Sequence, residues 1–523
     1  MNTTSARVVG FGCVSRSARR GGWARLGDVG GQAVGVCRDG NAARRTEHLS
    51  QGHKESNMKR LGMVAVAVAM MGMSAPAMAQ DATSKLMAAA AEKANVLMQV
   101  SFEYVQDASQ PVPTQRFVAQ AICISKEGLF MTFGIGMGMR SAEMNDLRLT
   151  APGENGVSVK AEFLWTDRET NISFLRATEP GDFTPATFVT KGDLKIGARV
   201  ATVGMFEADP ARSPYVSVGY VASVIRMPGQ FALVTGGSTT NEGSPVLNEA
   251  GEFIGVTPMS QFLPYQVRTN QGVQEMQLES KTMGHFFRPA GEFVHVLEYA
   301  KKNPTKPRVL SWIGVLDFRA VDESSVLKAE VPAVVVGRVA AEGPAAAVLK
   351  ENDVIVAIDG KGLEKFSSPI LIRNAFVLKL FRMTPGQAVK LTIRRDGKQS
   401  DVEVMATAQP QDDSQVPRFI VTQLGFRVRE RAELDRYVMP EKMAKVPGLV
   451  VMQVWQQTSA ERANLRPGDI VMSVNNVPVT KVAAFKSEVL SALSRNPGTA
   501  VTLVVQRDQD TLTLPLQPPA TVP

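Results

Sequence analysis

Ala463-Asn464-Leu465-Arg466-Pro467-Gly468-Asp469-Ile470-Val471 has a counterpart in the same chain, Ala347-Val348-Leu349-Lys350-Glu351-Asn352-Asp353-Val354-Ile355. Each stretch sets a leucine four residues before an aspartate and follows the aspartate with apolar residues of strand type. The match extends outward. Upstream, Val334-Val335-Val336-Gly337-Arg338-Val339 and Leu449-Val450-Val451-Met452-Gln453-Val454 are matching strands. Downstream, Ala357-Ile358-Asp359-Gly360 and Ser473-Val474-Asn475-Asn476 each read as a strand running into a tight turn, because Asp, Asn and Gly tolerate turn backbone that other residues resist. A unit used twice implies two copies of one supersecondary module. Residues 407–417 join the copies, and Ala408 to Val416, rich in Pro, Gln and Asp, reads as a flexible joint.

The two copies, residues 309–406 and 418–517, resemble the PDZ domains appended to bacterial HtrA-type proteases, on the core pattern L-x-x-G-D-x-I. The first copy departs from the pattern with Asn352 where the second has Gly468. The resemblance implies α+β modules that add an extended C-terminal peptide as a strand at a sheet edge, with the N–H groups of a small-residue loop holding its carboxylate. That loop falls on Trp312-Ile313-Gly314-Val315 and on Gln423-Leu424-Gly425-Phe426. Gly314 and Gly425 suit backbone that turns toward an anion. Ile313, Val315, Leu424 and Phe426 are expected to line the pocket for the ligand's last apolar side chain. The competing reading is an ordinary core strand. The repeat context favours binding for Leu424-Gly425-Phe426 and leaves the two readings level for Ile313-Gly314-Val315. The opposing groove wall is expected on the helices Ala483–Leu493 and around Ile370–Leu380.

Upstream of the repeats, Phe117–Ile124, Val157–Trp165, Arg199–Val203, Tyr215–Ile225, Phe231–Val234 and Phe253–Val256 are short β-type runs broken by Gly, Pro, Asn and Asp, the pattern of an all-β barrel or sandwich. Helical spacing follows over Gly291–Lys301, and Asn303–Arg308 reads as a linker. Residues 80–303 resemble the HtrA protease domain, so the resemblance implies a mainly β protein: a chymotrypsin-like double β-barrel followed by two PDZ domains, commonly assembled as trimers. Three places carry the family's catalytic triad. After Ser125-Lys126-Glu127-Gly128-Leu129-Phe130-Met131-Thr132, the family's N-N-H-V is replaced by Phe133-Gly134-Ile135-Gly136, with Ile135 at the general-base position. Asp167-Arg168-Glu169-Thr170-Asn171-Ile172-Ser173-Phe174-Leu175 follows D-x-x-x-D-L-A-V-L with Asn171 at the acid position. Asn241-Glu242-Gly243-Ser244-Pro245-Val246 follows N-S-G-G-P-L with Glu242 at the nucleophile position, and Gly251-Glu252-Phe253-Ile254-Gly255-Val256 supplies the next strand.

The histidines test this independently of alignment register. They stand at 48, 53, 285 and 295, so none lies between Gln80 and Gly284, where the base of this fold must precede the acid and the nucleophile. Ser244 and Ser238 are weak nucleophiles without an adjacent base, and no spacing supports a dyad with Lys191 or Lys195. His285 and His295 flank aromatics and suit packing or surface roles. Cys123, in Ala121-Ile122-Cys123-Ile124, reads as a small core residue. There is no Cys/His spacing of metal-ligand type beyond the leader, and Gly134-Ile135-Gly136-Met137-Gly138 lacks the context of a nucleotide loop, so no cofactor is implied. The resulting reading is a pseudoprotease that binds exposed peptide C-termini or unfolded protein. An active serine endopeptidase is the alternative.

Composition agrees with an exported globular protein, at 44% hydrophobic and 21% charged residues. Residues 1–79 hold eleven Lys/Arg against four Asp/Glu, so +7 of the total +8 belongs to them, and the remainder has no electrostatic footprint for nucleic acid. From Met58 the chain shows Lys59-Arg60, an apolar run Leu61 to Met73, and Ala77-Met78-Ala79, the three parts of a secretory signal over 58–79. Thirteen apolar residues are short of the roughly 20 that span a bilayer. Residues 1–57 read as a non-native or disordered extension, and Cys13 and Cys37 precede the signal, leaving Cys123 without a disulfide partner. Protein recovered from a host envelope is expected to begin at or near Gln80 on N-terminal sequencing. An N-terminus at Met1 in cytoplasmic protein would remove the argument for export.

Overall fold

A computed structural model describes residues 82–104, 115–133, 135, 144–190, 194–206, 211–237, 242–257, 263–269, 272–278, 285–321, 331–495 and 498–518. The signal segment, the extension before it, Gly134, Gly136, Lys191, Ser238 and Asn241 lie outside the described residues. A helix over 82–92 leads into the first of two closed six-stranded barrels. Its strands stand in the order Leu97–Tyr104, Gln115–Cys123, Leu129–Thr132, Ser173–Ala177, Ser158–Thr166 and Met144–Thr150, the last pairing back to the first. The second barrel runs Pro245–Leu247, Phe253–Val256, His285–Pro289, Gly229–Thr235, Pro214–Met227 and Arg199–Met205, again closed.

Strand periodicity explains why these runs read as almost continuously apolar. Successive side chains point to opposite faces. In the first barrel Ala121, Cys123, Phe130, Leu149 and Val159 fill the interior, while their neighbours Ile122, Leu129, Met131 and Phe133 face outward into a shared core. That core is completed by Ala201, Val203, Leu247 and Val256 from the second barrel and by Phe293, Val296 and Ala300 at the helix Val294–Lys302. Both faces of the seam strands are therefore buried. Cys123 is a core residue as expected, and burial pushes its thiol up to about 11.

Each repeat folds as one sheet with one helix across it. The first copy orders Val315–Ala320, Val334–Val339, Val354–Ile358, Ala388–Arg395 and Lys398–Met405, with the helix Pro369–Phe381. The second orders Arg418–Val421, Phe426–Arg429, Leu449–Val454, Ile470–Val474, Val501–Arg507 and Asp510–Leu516, with the helix Val482–Arg495. The repeated aspartate now has a physical reason. Asp469 accepts from Arg466 N–H at 2.9 Å and takes the Arg507 guanidinium at 2.7 Å through both oxygens. Asp353 does the same with Lys350 N–H and Arg395. One buried carboxylate thus closes the turn and staples it to a strand distant in sequence. Asn352 does the work of Gly468: its φ is +72° against +94°, in the left-handed region that Asn tolerates. The tight turns at Asp359-Gly360 and Asn475-Asn476 have positive φ at both central residues, the backbone of a two-residue hairpin.

Two segments read as linkers are anchored instead. In Asn303–Arg308, Pro304 O accepts from the Trp165 indole at 2.8 Å, and Arg308 forks onto Asp167 at 2.8 and 3.2 Å and reaches Glu169 at 2.6 Å. In Ala408–Val416, Gln409 N–H donates to Leu310 O, Asp412 pairs with Arg168, and Val416 is buried. Composition registers the missing apolar periodicity but not hydrogen bonds to partners a hundred residues away.

Glu169, almost wholly buried, joins His295 at 3.4 Å, Arg308, and Arg382 at 2.6 Å from the end of the first copy's helix. Burial would raise its pKa, but the His295 hydrogen bond and the charges of Arg382 and Arg308 outweigh it and hold the carboxyl down at about 2. A carboxyl below its ordinary value contributes stability that is complete above about pH 4.5 and is lost as pH falls toward about 2. Glu169→Gln is expected to destabilise the chain at pH 7 by on the order of 3 kcal/mol. Thermal unfolding of both proteins from pH 7 to pH 3 should show the gap between them closing below about pH 4.5. A gap independent of pH would refute the charge as its source.

Candidate functional site

The three positions that carry the triad by resemblance are drawn toward the seam between the barrels. Thr132 and Ser173 are paired across adjacent strands, and the Ser173 hydroxyl donates to Ile135 O at 2.9 Å, so Ile135 lies beside the strand that follows Asn171. From the second barrel, Gly243 approaches the same place. A Cβ on Gly243 would stand 3.6 Å from Gln120 O and 3.7 Å from the Phe133 ring. The Gln120 amide donates toward Gly243 O at 3.4 Å and Ser244 Oγ at 3.5 Å.

Isoleucine, asparagine and glutamate stand at these positions. Ile135 is fully buried in the first barrel's interior with Phe102, Phe130 and Leu149, and its chain position is held by its carbonyl. Asn171 adopts φ +59° and closes a turn by donating its N–H to Asp167 O at 2.8 Å, a conformation asparagine accepts readily. Glu242 is exposed. Ser244 is 1% exposed, its N–H donating to Thr257 Oγ1 at 2.9 Å. Asp167, four residues before Asn171 and buried, is consumed by Thr170 Oγ1, two loop N–H groups and Arg308. Its partner Glu169 is consumed by Arg308 and Arg382. Sequence reading missed this knot; its signal was the charged run Asp167-Arg168-Glu169. His285 sits on a strand paired with Val234, and His295 on the helix that touches Glu169.

In the repeats, the expected helices stand as groove walls, Pro369–Phe381 and Val482–Arg495. Gly314 and Gly425 have φ +86° and +81°, and a Cβ there would meet Pro344 N at 2.7 Å and Thr458 at 2.2 Å. Neither loop admits a larger residue. Ile313, Val315, Leu424 and Phe426, expected to line a ligand pocket, are buried in the cores of their modules. Trp312 is likewise buried, donating to Val315 O at 3.1 Å, its ring tilted 52° against Tyr437 of the second copy at 5.3 Å. Gln423 precedes the buried Leu424.

The copies differ at the groove. In the first, Arg373 reaches from the helix and donates to Phe318 O on the edge strand at 2.9 Å, and the Phe318 and Phe376 rings meet edge to face at 5.2 Å. Among the described residues, no backbone carbonyl takes the N–H of Ile313 or Gly314. In the second, Leu424 N–H and Gly425 N–H both donate to Val421 O, at 3.2 and 2.8 Å.

Residues 120–256 match the trypsin-like peptidase domain, and residues 314–405 and 422–517 match the PDZ domain. The chain is 24% identical over 366 residues to a probable periplasmic serine endoprotease DegP-like of Bartonella henselae, covering 65% of this chain and 64% of that protein. It is 25% identical over 397 residues to a protein of the same description from Pseudomonas fulva, covering 73% and 75%. The chain thus spans just under two thirds of the first relative's length. Among solved structures, the HtrA-type protease AlgWS227A with decapeptide aligns with 63% of this chain and 97% of its own, at 18% identity and TM-score 0.46. The chain thus carries a trypsin-like peptidase domain followed by two PDZ domains, and has DegP-like homologues.

Proposed function

We propose that this chain is an exported HtrA-like pseudoprotease. Its barrels have lost acyl-transfer chemistry, and its PDZ modules bind exposed peptide C-termini or unfolded protein in the periplasm, as a scaffold, chaperone-like factor or regulator of envelope protein quality control. The observation that carries the reading is Ile135, an alkyl side chain sealed in a barrel interior where a proton acceptor is required. The absence of histidine between residues 80 and 284 supports it, because a serine hydroxyl is inert without an adjacent base. Asn171 is neutral and cannot stabilise an imidazolium. Glu242 would set a negative charge beside the place where an oxyanion must develop. The description of the DegP-like relatives as periplasmic supports the compartment, as does the leader from Met58.

The purified chain is expected neither to cleave casein nor to form an adduct with a serine-directed fluorophosphonate. Removing a triad member elsewhere leaves only roughly 10³–10⁴-fold over the uncatalysed rate, and here all three positions differ. Glu242→Ser alone should not rescue activity. Adding Asn171→Asp and Ile135→His should fail too, since the imidazole would be buried among phenylalanines without a partner. Robust cleavage abolished by Ser244→Ala, with a contaminating-protease control, would overturn the proposal.

Peptide capture is tested separately. A peptide with a free apolar C-terminus should bind the full chain more tightly than its C-terminal amide, because the loop N–H groups lose their anion. Gly314→Val, which forces a branched side chain onto φ +86°, should weaken that binding at least tenfold by fluorescence anisotropy. Equal affinity of acid and amide would count against carboxylate capture.

A further inference from the structure

The strand Phe426–Arg429 follows the second loop directly and is the edge to which a ligand would add. It is paired on both sides. Leu449–Val454 covers one side, and Arg418–Val421 covers the other over four register pairs, from Arg418 opposite Arg429 to Val421 opposite Phe426. The corresponding strand of the first copy, Val315–Ala320, pairs among the described residues with Val334–Val339 alone.

The added strand lies on the helix side of the sheet. The Phe419 ring meets Phe485 of the helix Val482–Arg495 at 6.3 Å and 73°, with Lys486 Nζ 5.3 Å from the Phe419 centroid. Phe485 also meets Phe426 at 6.1 Å. In the first copy the strand ring Phe318 and the helix ring Phe376 touch each other directly, with nothing between them. The C-terminal end of the added strand completes the likeness to a ligand. Val421 is fully buried, and its carbonyl oxygen holds the Leu424 and Gly425 N–H groups that a terminal carboxylate would claim. At the other end Glu430 N–H donates to Pro417 O at 2.7 Å. The Glu430 carboxylate accepts from Val482 N–H and Lys481 Nζ, both at 3.0 Å, so the start of the helix is tied down over the start of the strand.

We infer that Arg418-Phe419-Ile420-Val421 is a resident ligand of the second PDZ groove, and that external peptide capture is confined to the first copy while this strand stays in place. The groove's chemistry is read from its occupant: a peptide whose last residue is β-branched and aliphatic, with an aromatic residue two positions before it. The occupant is joined to the groove by a four-residue loop, so it competes at an effective concentration in or above the mM range, which a free peptide of ordinary affinity does not displace. The inference rests on the peptide-capture reading for the first copy, but its own prediction concerns the second.

The test uses the full chain and a peptide ending in Arg-Phe-Ile-Val with a free carboxylate. Hydrogen exchange by mass spectrometry is read at residues 312–320 and 423–429, and stoichiometry by calorimetry. In the unmodified chain the 423–429 amides are expected to exchange slowly without peptide and not to change with it, at one peptide bound per chain. Phe419→Asp with Val421→Asp should release the strand, raise the stoichiometry to two and give peptide-dependent protection at 423–429. A second pair, Ile420→Cys with Arg427→Cys, joins residues that face each other across the two strands. Its oxidised form should leave peptide binding as in the unmodified chain. Peptide-dependent protection of 423–429 in the unmodified chain, or lost peptide binding in the oxidised cysteine pair, overturns the inference. So does no gain at 423–429 in a released variant that keeps its circular dichroism. Gain at 423–429 in the released variant without any protection at 312–320 would instead sink capture by the first copy and leave the resident strand standing.

Discussion

The buried charges around Asp167 and Glu169 hold the chain's parts in register. Asp167 is the cap of its own loop, taking Thr170 and two backbone N–H groups, and the anchor of Arg308, just ahead of the first PDZ module. Glu169, two residues on, adds Arg308 again and Arg382 from that module's helix. Such a knot contributes little net energy when complete, since desolvation offsets attraction, but removing one member strands a charge in the interior. The loop shape, the position of Asn171 and the seating of the first module therefore stand or fall together. Further contacts spread the load, with Arg226 on Glu364 at 2.6 Å and Arg382 on Glu292 at 3.3 Å.

The same knot bears on chemistry. A trypsin-like seam needs one carboxylate free to orient a base. Here the two acidic side chains of that loop pair with arginines, and Ile135, which the resemblance sets at the base position, completes a barrel interior. Local hydrogen bonds hold these segments: Ser173 donates to Ile135 O, Ser244 N–H donates to Thr257, and Asn171 closes a turn. Ile135 packs in the barrel interior and Asn171 closes a turn, so changing either would disturb the fold locally.

The two PDZ copies diverge by the same kind of local accounting. One scaffold, stapled at the equivalent aspartate to the equivalent strand arginine, carries an edge bridged by Arg373 in the first copy and an edge covered by a strand in the second. The difference arises just ahead of the loop. The first copy sends Ser311–Trp312 to pair with Thr407–Ala408 at the far end of the same module, whereas the second sends Arg418–Val421 along its own neighbouring strand. A short run of β-branched and aromatic residues suits either course.

The amino-acid sequence by itself determined the repeat, six of the twelve barrel strands to within two residues at each end, the hairpin turns and the lack of histidine between residues 80 and 284. These are local or countable properties: strand periodicity, residues that tolerate positive φ, and the order of residue types along the chain. Only the tertiary structure decided that Asn303–Arg308 and Ala408–Val416 are anchored, that Ile313, Val315, Leu424 and Phe426 belong to cores, and that Val421 O sits on the second loop's N–H groups. Those outcomes depend on partners tens to hundreds of residues away, or on which of two edges a strand joins. Composition and spacing hold no information about distance in space, so a polar segment looks the same in sequence whether it meets water or a buried arginine.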